Sequence, residues 1–575
     1  MAPQSESNVN PAPDLRNSLR AIAEKPFAQV VIIGGGINGI ATFRDLSLQG
    51  VEVVLVERGD WCSGASSASS HMIHGGIRYL ENGEFRLVRE SVQERNGLIK
   101  IAPHYVKPLP TTVPIFSTFS GILSAPLRFL THKQGTPKER GAFLIKVGLV
   151  LYDFFSRDGG SVPRHKFMGR TKSLRALPQL NKDLKYTATY FDASMHNPER
   201  LALDVLMDGL ATGPHARASN YLEAVGLTEE GVVVRDTQTG HEFTIAAETV
   251  VNTSGPWTDL TNEALGASTH FMGGTKGSHI VLENDELLAA TGGREIFFEH
   301  SDGRIVLIYP LKGRVMVGTT DIDADPSEPS VCTEEEIDYF FDLVKHVFPT
   351  IAVDRDQIVY RFSGIRPLPR HDDTQPGFVS RDYRIEERAD KGHTVMSLVG
   401  GKWTTFRALA EHLSTEVLKS LGLTRTVSTA GLAIGGGRGF PRTETERAGW
   451  VARHREGLSL ARADQLLTRY GTRATALIAY LEEHGDDALA HAPHYGRQEI
   501  EYIITTEQVV RVLDVIMRRT DLAFTGSVTE GTIEEIAGIL EGLHGWSSEK
   551  TSAEVAEAHE VLTGIHGMKL GGGER

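Results

Sequence analysis

Cysteine is nearly absent from this 575-residue sequence, which has only Cys62 and Cys332. Two thiols build neither a disulfide framework nor a cysteine-based zinc site, and that economy fits a reducing compartment. Long apolar runs are missing as well. A spanning helix needs about 20 apolar residues; the best stretch, Ala142 to Phe155 (AFLIKVGLVLYDFF), is shorter and carries Lys146 and Asp153. Basic excess is lacking too, with 60 Lys and Arg against 74 Asp and Glu for a net charge of -14. A protein whose main partner is nucleic acid needs a basic face, so no nucleic-acid partner is expected. There is no HExxH, CxxC or EF-hand loop. Asp321-Ile322-Asp323-Ala324-Asp325 lacks the glycine and closing glutamate of a calcium loop, so no metal site is expected. Residues 1–27 lack the basic-then-apolar order of a secretory signal and read as a mobile tail. Residues 566–575, with the Gly571–Gly573 run, read as a flexible end.

What is present suits a folded chain of several domains, with 40% apolar and 23% charged residues. Val30 to Ile33 is a short apolar run stopping at Gly34, the pattern of a buried parallel strand. Ile37, Ile40, Phe43 and Leu46 recur at helical spacing, and Val51 to Val56 is a second β-branched run ending in Glu57. This is a βαβ unit with Gly34, Gly36 and Gly39 in its first turn. Gly34 permits the tight turn, Gly36 lets a pyrophosphate approach the backbone, and Gly39 lets the helix pack on the sheet. The helix N-terminus offers N–H groups and partial positive charge to phosphates. Glu57 is spaced to accept hydrogen bonds from an adenosine ribose. Asn38 and Arg58 join these as candidate cofactor contacts. The unit alone does not separate NAD from FAD.

The next segment, Ser66 to Arg95, opens with Ser66, Ser67, Ser69 and Ser70 around Ala68, hydroxyls able to cap a helix or to bond a phosphate or flavin. His74-Gly75-Gly76 permits a close backbone approach, with Arg78 and Tyr79 just after. Here the sequence resembles the FAD-dependent, respiratory glycerol-3-phosphate dehydrogenases of the D-amino-acid-oxidase-like flavoprotein group. The resemblance extends over nearly the whole chain. It continues through Val251-Asn252-Thr253-Ser254-Gly255-Pro256-Trp257, Lys276-Gly277-Ser278-His279, Gly364-Ile365-Arg366-Pro367, Ser380-Arg381-Asp382-Tyr383 and Gly400-Gly401-Lys402-Trp403-Thr404-Thr405. Gly435 to Pro441 resembles the family's link to a helical domain. His71 stands where bacterial relatives often carry Lys, and Trp403 where a smaller apolar residue is usual.

The resemblance implies an α/β (α+β composite) fold. A Rossmann-like FAD-binding domain would span 28–430, with an inserted antiparallel-sheet substrate cap to which roughly 100–185 and 186–375 contribute. An all-helical C-terminal domain would span 431–565. Strand-like runs fill 186–330, among them Gly231 to Arg235, Thr249 to Val251, His279 to Leu282 and Val315 to Thr319. Helical faces follow, with Val509, Val510, Leu513, Ile516 and Met517 on one and Ile533, Ile536, Ile539, Leu540 and Leu543 on another. FAD is the implied cofactor, and Ser254, Gly255, Gly401, Lys402, Trp403 and Thr404 match cofactor-facing motifs.

The implied reaction oxidises sn-glycerol 3-phosphate to dihydroxyacetone phosphate and sends electrons to membrane quinone. A dianionic phosphate calls for cations, best Arg for its planar fork. Arg366, Arg381, Arg78 and Tyr79 match the family's substrate pocket, while Lys402 suits the reduced flavin or the phosphate. The hydroxyl proton calls for a base with a pKa near neutrality. Of 22 histidines, His74 and His279 lie in family motifs, and His74 is preferred by its position beside Arg78. Dioxygen as acceptor, a related amino- or hydroxy-acid oxidase, or a silent flavin-binding interaction protein are the rival readings. Five basic residues, Arg128, Lys133, Lys138, Arg140 and Lys146, stand among apolar groups between 117 and 155. Pattern alone divides that stretch evenly between a cap helix and an anionic membrane surface. The resemblance favours the membrane, hence a cytoplasmic protein held peripherally, with room for a homodimer.

Overall fold

Val30, Val31 and Ile32 are wholly buried, the condition under which an unbroken β-branched run is stable between two covering layers. In the computed structural model, which describes residues 16–76, 85–117, 142–155, 162–299, 305–370, 382–455 and 457–571, this run is the centre of the strand Phe27–Ile33. It pairs in parallel with Val53–Val56 on one side (Ile33 opposite Val56) and with Glu242–Asn252 on the other (Ile33 opposite Asn252). Ala216–Ser219 extends the sheet beyond Val53–Val56, and His393–Val399 extends it beyond Glu242–Asn252, again in parallel. The helix Ile37–Leu48 connects the first two strands, burying Ile37, Ile40, Phe43 and Leu46. The βαβ reading therefore holds.

The second sheet is mostly antiparallel. Met272–Leu282 pairs along its whole length with Ile358–Pro369, and Val106–Ile115 pairs with Tyr186–Met195. Two strand runs expected in this cap lie elsewhere. Val232–Asp236 and Thr249 to Val251 belong to the nucleotide sheet, the latter directly beside Phe27–Ile33. Alternation identifies a strand but carries no address for its partner, so the cap's limits come from pairing alone.

The C-terminal region packs helices from Glu444 to Glu560 around a core that includes Leu466, Ile503, Ile536 and Leu540. Its helical faces differ in detail from the periodic reading. Gln508 takes a left-handed φ of +54°, so Val509 and Val510 precede a helix that starts at Val512. Leu543 is 43% exposed. Both supposed tails are also shorter than expected. Asn17–Ala23 is a helix with Leu19 and Ile22 fully buried, because two apolar residues one turn apart find the nucleotide sheet's outer core. Met568 and Leu570 are buried in the helical core, and the Leu570 carbonyl accepts from Glu530 N–H.

Buried charges join the helical domain to the nucleotide sheet. Asp60, three residues past Glu57, receives Arg519 Nη1 (2.7 Å) and Nη2 (2.8 Å), Arg518 Nε (2.5 Å) and Asn220 Nδ2 (2.9 Å). Asp60 and Arg519 are wholly buried. Burial alone would raise the Asp60 carboxyl, but Arg519 and Arg518 override it and hold the group well below the usual carboxylate range. A depressed carboxyl stabilises the fold fully above its unfolded pKa of about 4 and loses that contribution only as pH falls towards its folded value. Asp60→Asn leaves the buried Arg519 without its main counter-charge, while Arg518 keeps Asp514 (2.7 Å). It is expected to cost about 3–5 kcal/mol, read as a lowered denaturant midpoint at pH 7, and to flatten the decline of stability in acid.

Candidate functional site

At the carboxyl end of Phe27–Ile33 the chain turns at Gly34, with φ +107°. A Cβ there would press on the Thr253 carbonyl and the Ser254 backbone, and one at Gly39 would overlap the Gly34 carbonyl oxygen. Gly36 faces Ser66 Oγ, which accepts from Ile37 N–H (3.0 Å) at the helix start. Glu57, the candidate ribose contact, follows the strand Val53–Val56 and faces the Gly34 turn. Its Oε2 accepts from Gly35 N–H (2.6 Å) and its Oε1 from Gly59 N–H (2.8 Å), leaving each oxygen a second lone pair for a hydroxyl. Burial raises the Glu57 pKa against the two backbone N–H groups. Arg58 is exposed and lies over the Trp257 ring at 5.0 Å.

A second glycine turn faces the first. Gly400 (φ +97°) and Gly401 (φ +112°) lead from the strand His393–Val399 into the helix Phe406–Ser420. Asn38 Nδ2 lies where a Gly401 side chain would start, and Asn38 Oδ1 is buried without a protein partner. Trp403, one of the two departures from the family pattern, sends its indole N–H to the Ser66 carbonyl (2.9 Å). Thr404 Oγ1 donates to the His74 carbonyl (3.2 Å). Lys402 Nζ reaches Ser91 Oγ (2.7 Å) on the helix Phe85–Ile101. The serine cluster, the His74 turn and the lysine turn are thus one assembly. Not every hydroxyl faces outward from it. Ser67 bonds the Gly64 carbonyl, Ser69 accepts from His71 N–H, and Ser254 bonds Asn252 Oδ1 (2.6 Å) beside Gly255, whose φ is +63°.

On the cap side, His279 is buried, stacked on Phe362 at 4.8 Å, with Nε2 against Ser70 Oγ (2.8 Å) and Nδ1 unpartnered. Burial, with Arg366 nearby, lowers its pKa to about 3. Arg366 lies against Gly277, where any Cβ would strike the guanidinium. Its Nη1 holds Asp321 (2.9 Å), and its Nη2 holds Thr319 Oγ1 (3.0 Å) and the Thr320 carbonyl (2.8 Å). The fork is therefore firmly oriented, and part of its charge is already answered. His71, the other departure, is buried against Phe362 and Phe524 with its pKa well below the ordinary value, chiefly through burial. His74 is half-buried, its carbonyl held by Thr404 of the second glycine turn. Arg78, Tyr79 and Arg381 lie outside the described residues, as do Arg128, Lys133, Lys138 and Arg140. Among the described residues no group of three His, Cys, Asp or Glu could hold a metal, and no helix is long and apolar enough to cross a membrane. Ser91 and Asp321 escaped sequence reasoning because each acts through a partner distant in the chain, and Asn252 because a single asparagine does not show that it bonds Ser254, Thr258 and Asn262. Asn252 alone had a signal, its place in the motif that ends at Trp257.

Comparison with known proteins gives the family and the fold. Residues 29–414 match the FAD-dependent oxidoreductase family model, and 427–551 match the C-terminal domain of α-glycerophosphate oxidase. A Synechocystis glycerol-3-phosphate dehydrogenase is 31% identical over 93% of this chain and 96% of its own. The aerobic glycerol-3-phosphate dehydrogenase of Bacillus subtilis is 29% identical, covering 86% and 87%. The Bacillus halodurans glycerol-3-phosphate dehydrogenase structure, complexed with FAD, superposes with a TM-score of 0.74 at 24% identity, covering 96% and 98% of the two chains.

A histidine whose folded pKa lies near 3 stays neutral while the unfolded chain takes up a proton below about pH 6.5. Stability is therefore full above that pH and falls through the interval by roughly 1.4 kcal/mol per pH unit for this one group. Replacing His279 by Gln is expected to make the acid-side slope of unfolding free energy shallower by about that amount. An unchanged slope in urea titrations between pH 4 and 6 would show that His279 charges freely in the folded state.

Proposed function

The chain belongs to the FAD-dependent glycerol-3-phosphate dehydrogenase family of oxidoreductases, and from that membership we propose that it oxidises sn-glycerol 3-phosphate to dihydroxyacetone phosphate and delivers the electrons to a membrane quinone. The observation that supports this most is the convergence of Gly34–Gly39, the His74 turn and Gly400–Thr404, tied together by Thr404 and Trp403. FAD fits that convergence. Asn38 Oδ1 is a buried acceptor without a protein partner, and the glycines let the backbone turn tightly enough to bring the Ile37–Leu48 helix start to this place. Glu57 and Arg58 would take the adenosine end. Gly36, Ser66 and the helix start would take the pyrophosphate, and Gly401 to Thr404 the ring system. When bound, FAD supplies the acceptor for the hydride of carbon 2.

The chain's own residues do the rest. Arg366, Arg381, Arg78, Tyr79 and Lys402 hold the phosphate dianion and set which face of carbon 2 is presented. Asp321, Thr319 and Thr320 keep the Arg366 fork from turning, so its contribution is directional more than a matter of net charge. His74 takes the hydroxyl proton. His279 is a poor base, since burial keeps its pKa near 3 and its Nε2 is shared with Ser70; it orients that serine and the substrate. A quinone acceptor draws support from the dehydrogenase relatives and from the basic, apolar stretch that ends in the helix Ala142–Phe155. There Lys146 and Val150 are exposed.

Anaerobic addition of glycerol 3-phosphate is expected to bleach the yellow holoprotein, while glycerol and lactate leave it coloured. Reoxidation faster by a soluble quinone than by dioxygen supports the acceptor; the reverse order makes the protein an oxidase. His74→Asn should slow bleaching about 10²–10⁴-fold, and His279→Asn less. A nearly dead His279→Asn beside an unimpaired His74→Asn reverses the two roles.

Membrane attachment is read separately. Neutralising Lys133, Lys138, Arg140 and Lys146 together is expected to weaken binding to anionic vesicles, at up to about 1 kcal/mol per charge, with dye-coupled activity retained. Sedimentation equal to wild type at every salt concentration would place the membrane face elsewhere.

A further inference from the structure

Beneath the His74-Gly75-Gly76 turn lies a buried polar network that the reaction as described leaves unused. Gly75 N–H donates to Asp192 Oδ1 at 2.9 Å, and the same oxygen accepts from the Tyr152 hydroxyl at 2.5 Å and from Arg95 Nη1 at 3.0 Å. Arg95 Nη1 also reaches the Tyr152 oxygen (2.5 Å) and the Phe191 carbonyl (2.9 Å). The Arg95 side chain is fully buried and that of Asp192 is 2% exposed. The three side chains come from separate elements: the helix Phe85–Ile101, the helix Ala142–Phe155 and the strand Tyr186–Met195. Tyr152 lies so close under the turn that a Cβ on Gly75 would overlap its hydroxyl. Its ring also meets Tyr190 edge-on at 5.6 Å.

Two facts make this more than a stabilising cluster. A buried ion pair is by itself weak evidence for stability, because desolvation consumes much of the attraction. This one spends an acceptor on the backbone N–H between His74 and Gly76. The helix that supplies Arg95 also presents Ser91, one turn earlier, to Lys402 Nζ. One rigid helix therefore registers the His74 turn and the Lys402 turn against each other. Burial, with Asp192 beside it, pushes the Tyr152 phenol up, so the hydroxyl remains a donor at neutral pH.

We propose that Tyr152 and Asp192 are positioning residues of the reaction, setting the height of the His74-Gly75-Gly76 turn against Lys402 through the Gly75 N–H. The inference rests on the reading that this turn faces substrate. Misplacement of a reacting group by about 1 Å costs on the order of a hundredfold in rate, so a small shift of the turn is measurable.

The test uses the holoprotein. Tyr152→Phe keeps the ring against Tyr190 and removes only the hydroxyl. It is expected to keep wild-type FAD content and melting temperature, to slow anaerobic bleaching by glycerol 3-phosphate about ten- to a hundredfold, and to change KM by less than about twofold. The circular dichroism of the bound flavin should change in Tyr152→Phe and not in Tyr502→Phe, a control in the helical domain. Gly75→Ala should also be slow, and adding Tyr152→Phe should restore only part of its loss, since it removes the closest contact of the new Cβ while the ring carbon and Val92 Cγ2 remain. A wild-type bleaching rate together with an unchanged flavin dichroism in Tyr152→Phe overturns the proposal. If glycerol 3-phosphate fails to bleach the wild type, the substrate reading falls, and the flavin dichroism still decides the coupling.

Discussion

Parallel pairing in register is the constraint from which the site follows. Ile33, Val56 and Asn252 lie side by side across three strands, and Ser397 continues the row from Asn252. Every segment that leaves this edge leaves it in the same direction. Gly34 to Gly39, Glu57 to Gly59, Thr253 to Gly255 and Gly400 to Thr404 therefore meet at one place despite lying hundreds of residues apart, as the crevice at the carboxyl ends of an open parallel sheet requires. A slip of one residue in any strand would exchange its two packed faces and carry its loop out of this row, so core packing and the meeting of the loops are enforced by the same pairing.

The carboxylates of the structural networks are well supplied: Asp60 has four donors, and Glu336 accepts from Lys276, Ser278, Thr320 and the Thr333 N–H. Asn38 Oδ1, His71 Nδ1 and His279 Nδ1, near the glycine turns and the cap, are among the buried polar atoms without a protein partner, as is Arg519 Nε beside Asp60. Unpaired buried polar atoms are costly enough to call for an explanation. Under the proposed function, the flavin would supply a partner to Asn38, and a substrate held by Arg366 one to His279.

The nucleotide half was legible because glycine turns and unbroken β-branched runs are local signals. Gly34, Gly39 and Gly401 each stand where the fold tolerates no Cβ, a requirement written at a single position. The membership of Val232–Asp236 in one sheet or the other was not legible, since alternation specifies faces and not neighbours. Leu19 and Met568 likewise looked like parts of tails, because their burial depends on surfaces built from distant segments. The partners of the site were hardest. Ser91 and Lys402 are 311 residues apart, and a serine in a helix gives no sign of the lysine it receives. Trp403 was noted as a departure; only the fold reveals that its indole bonds Ser66.

The clasp on Asp60 also bears on the order in which the molecule is made. Its arginine partner at 519 lies 459 residues further along the chain, and domains form progressively as synthesis proceeds from the amino end. The strand, helix and acidic loop of the nucleotide unit are thus available early, while the loop after Glu57 stays without its counter-charges until the helical region has emerged. The loop that carries Asp60 is completed by residues more than four hundred positions further along, so a chain cut before Arg518 keeps a buried carboxylate without its arginines.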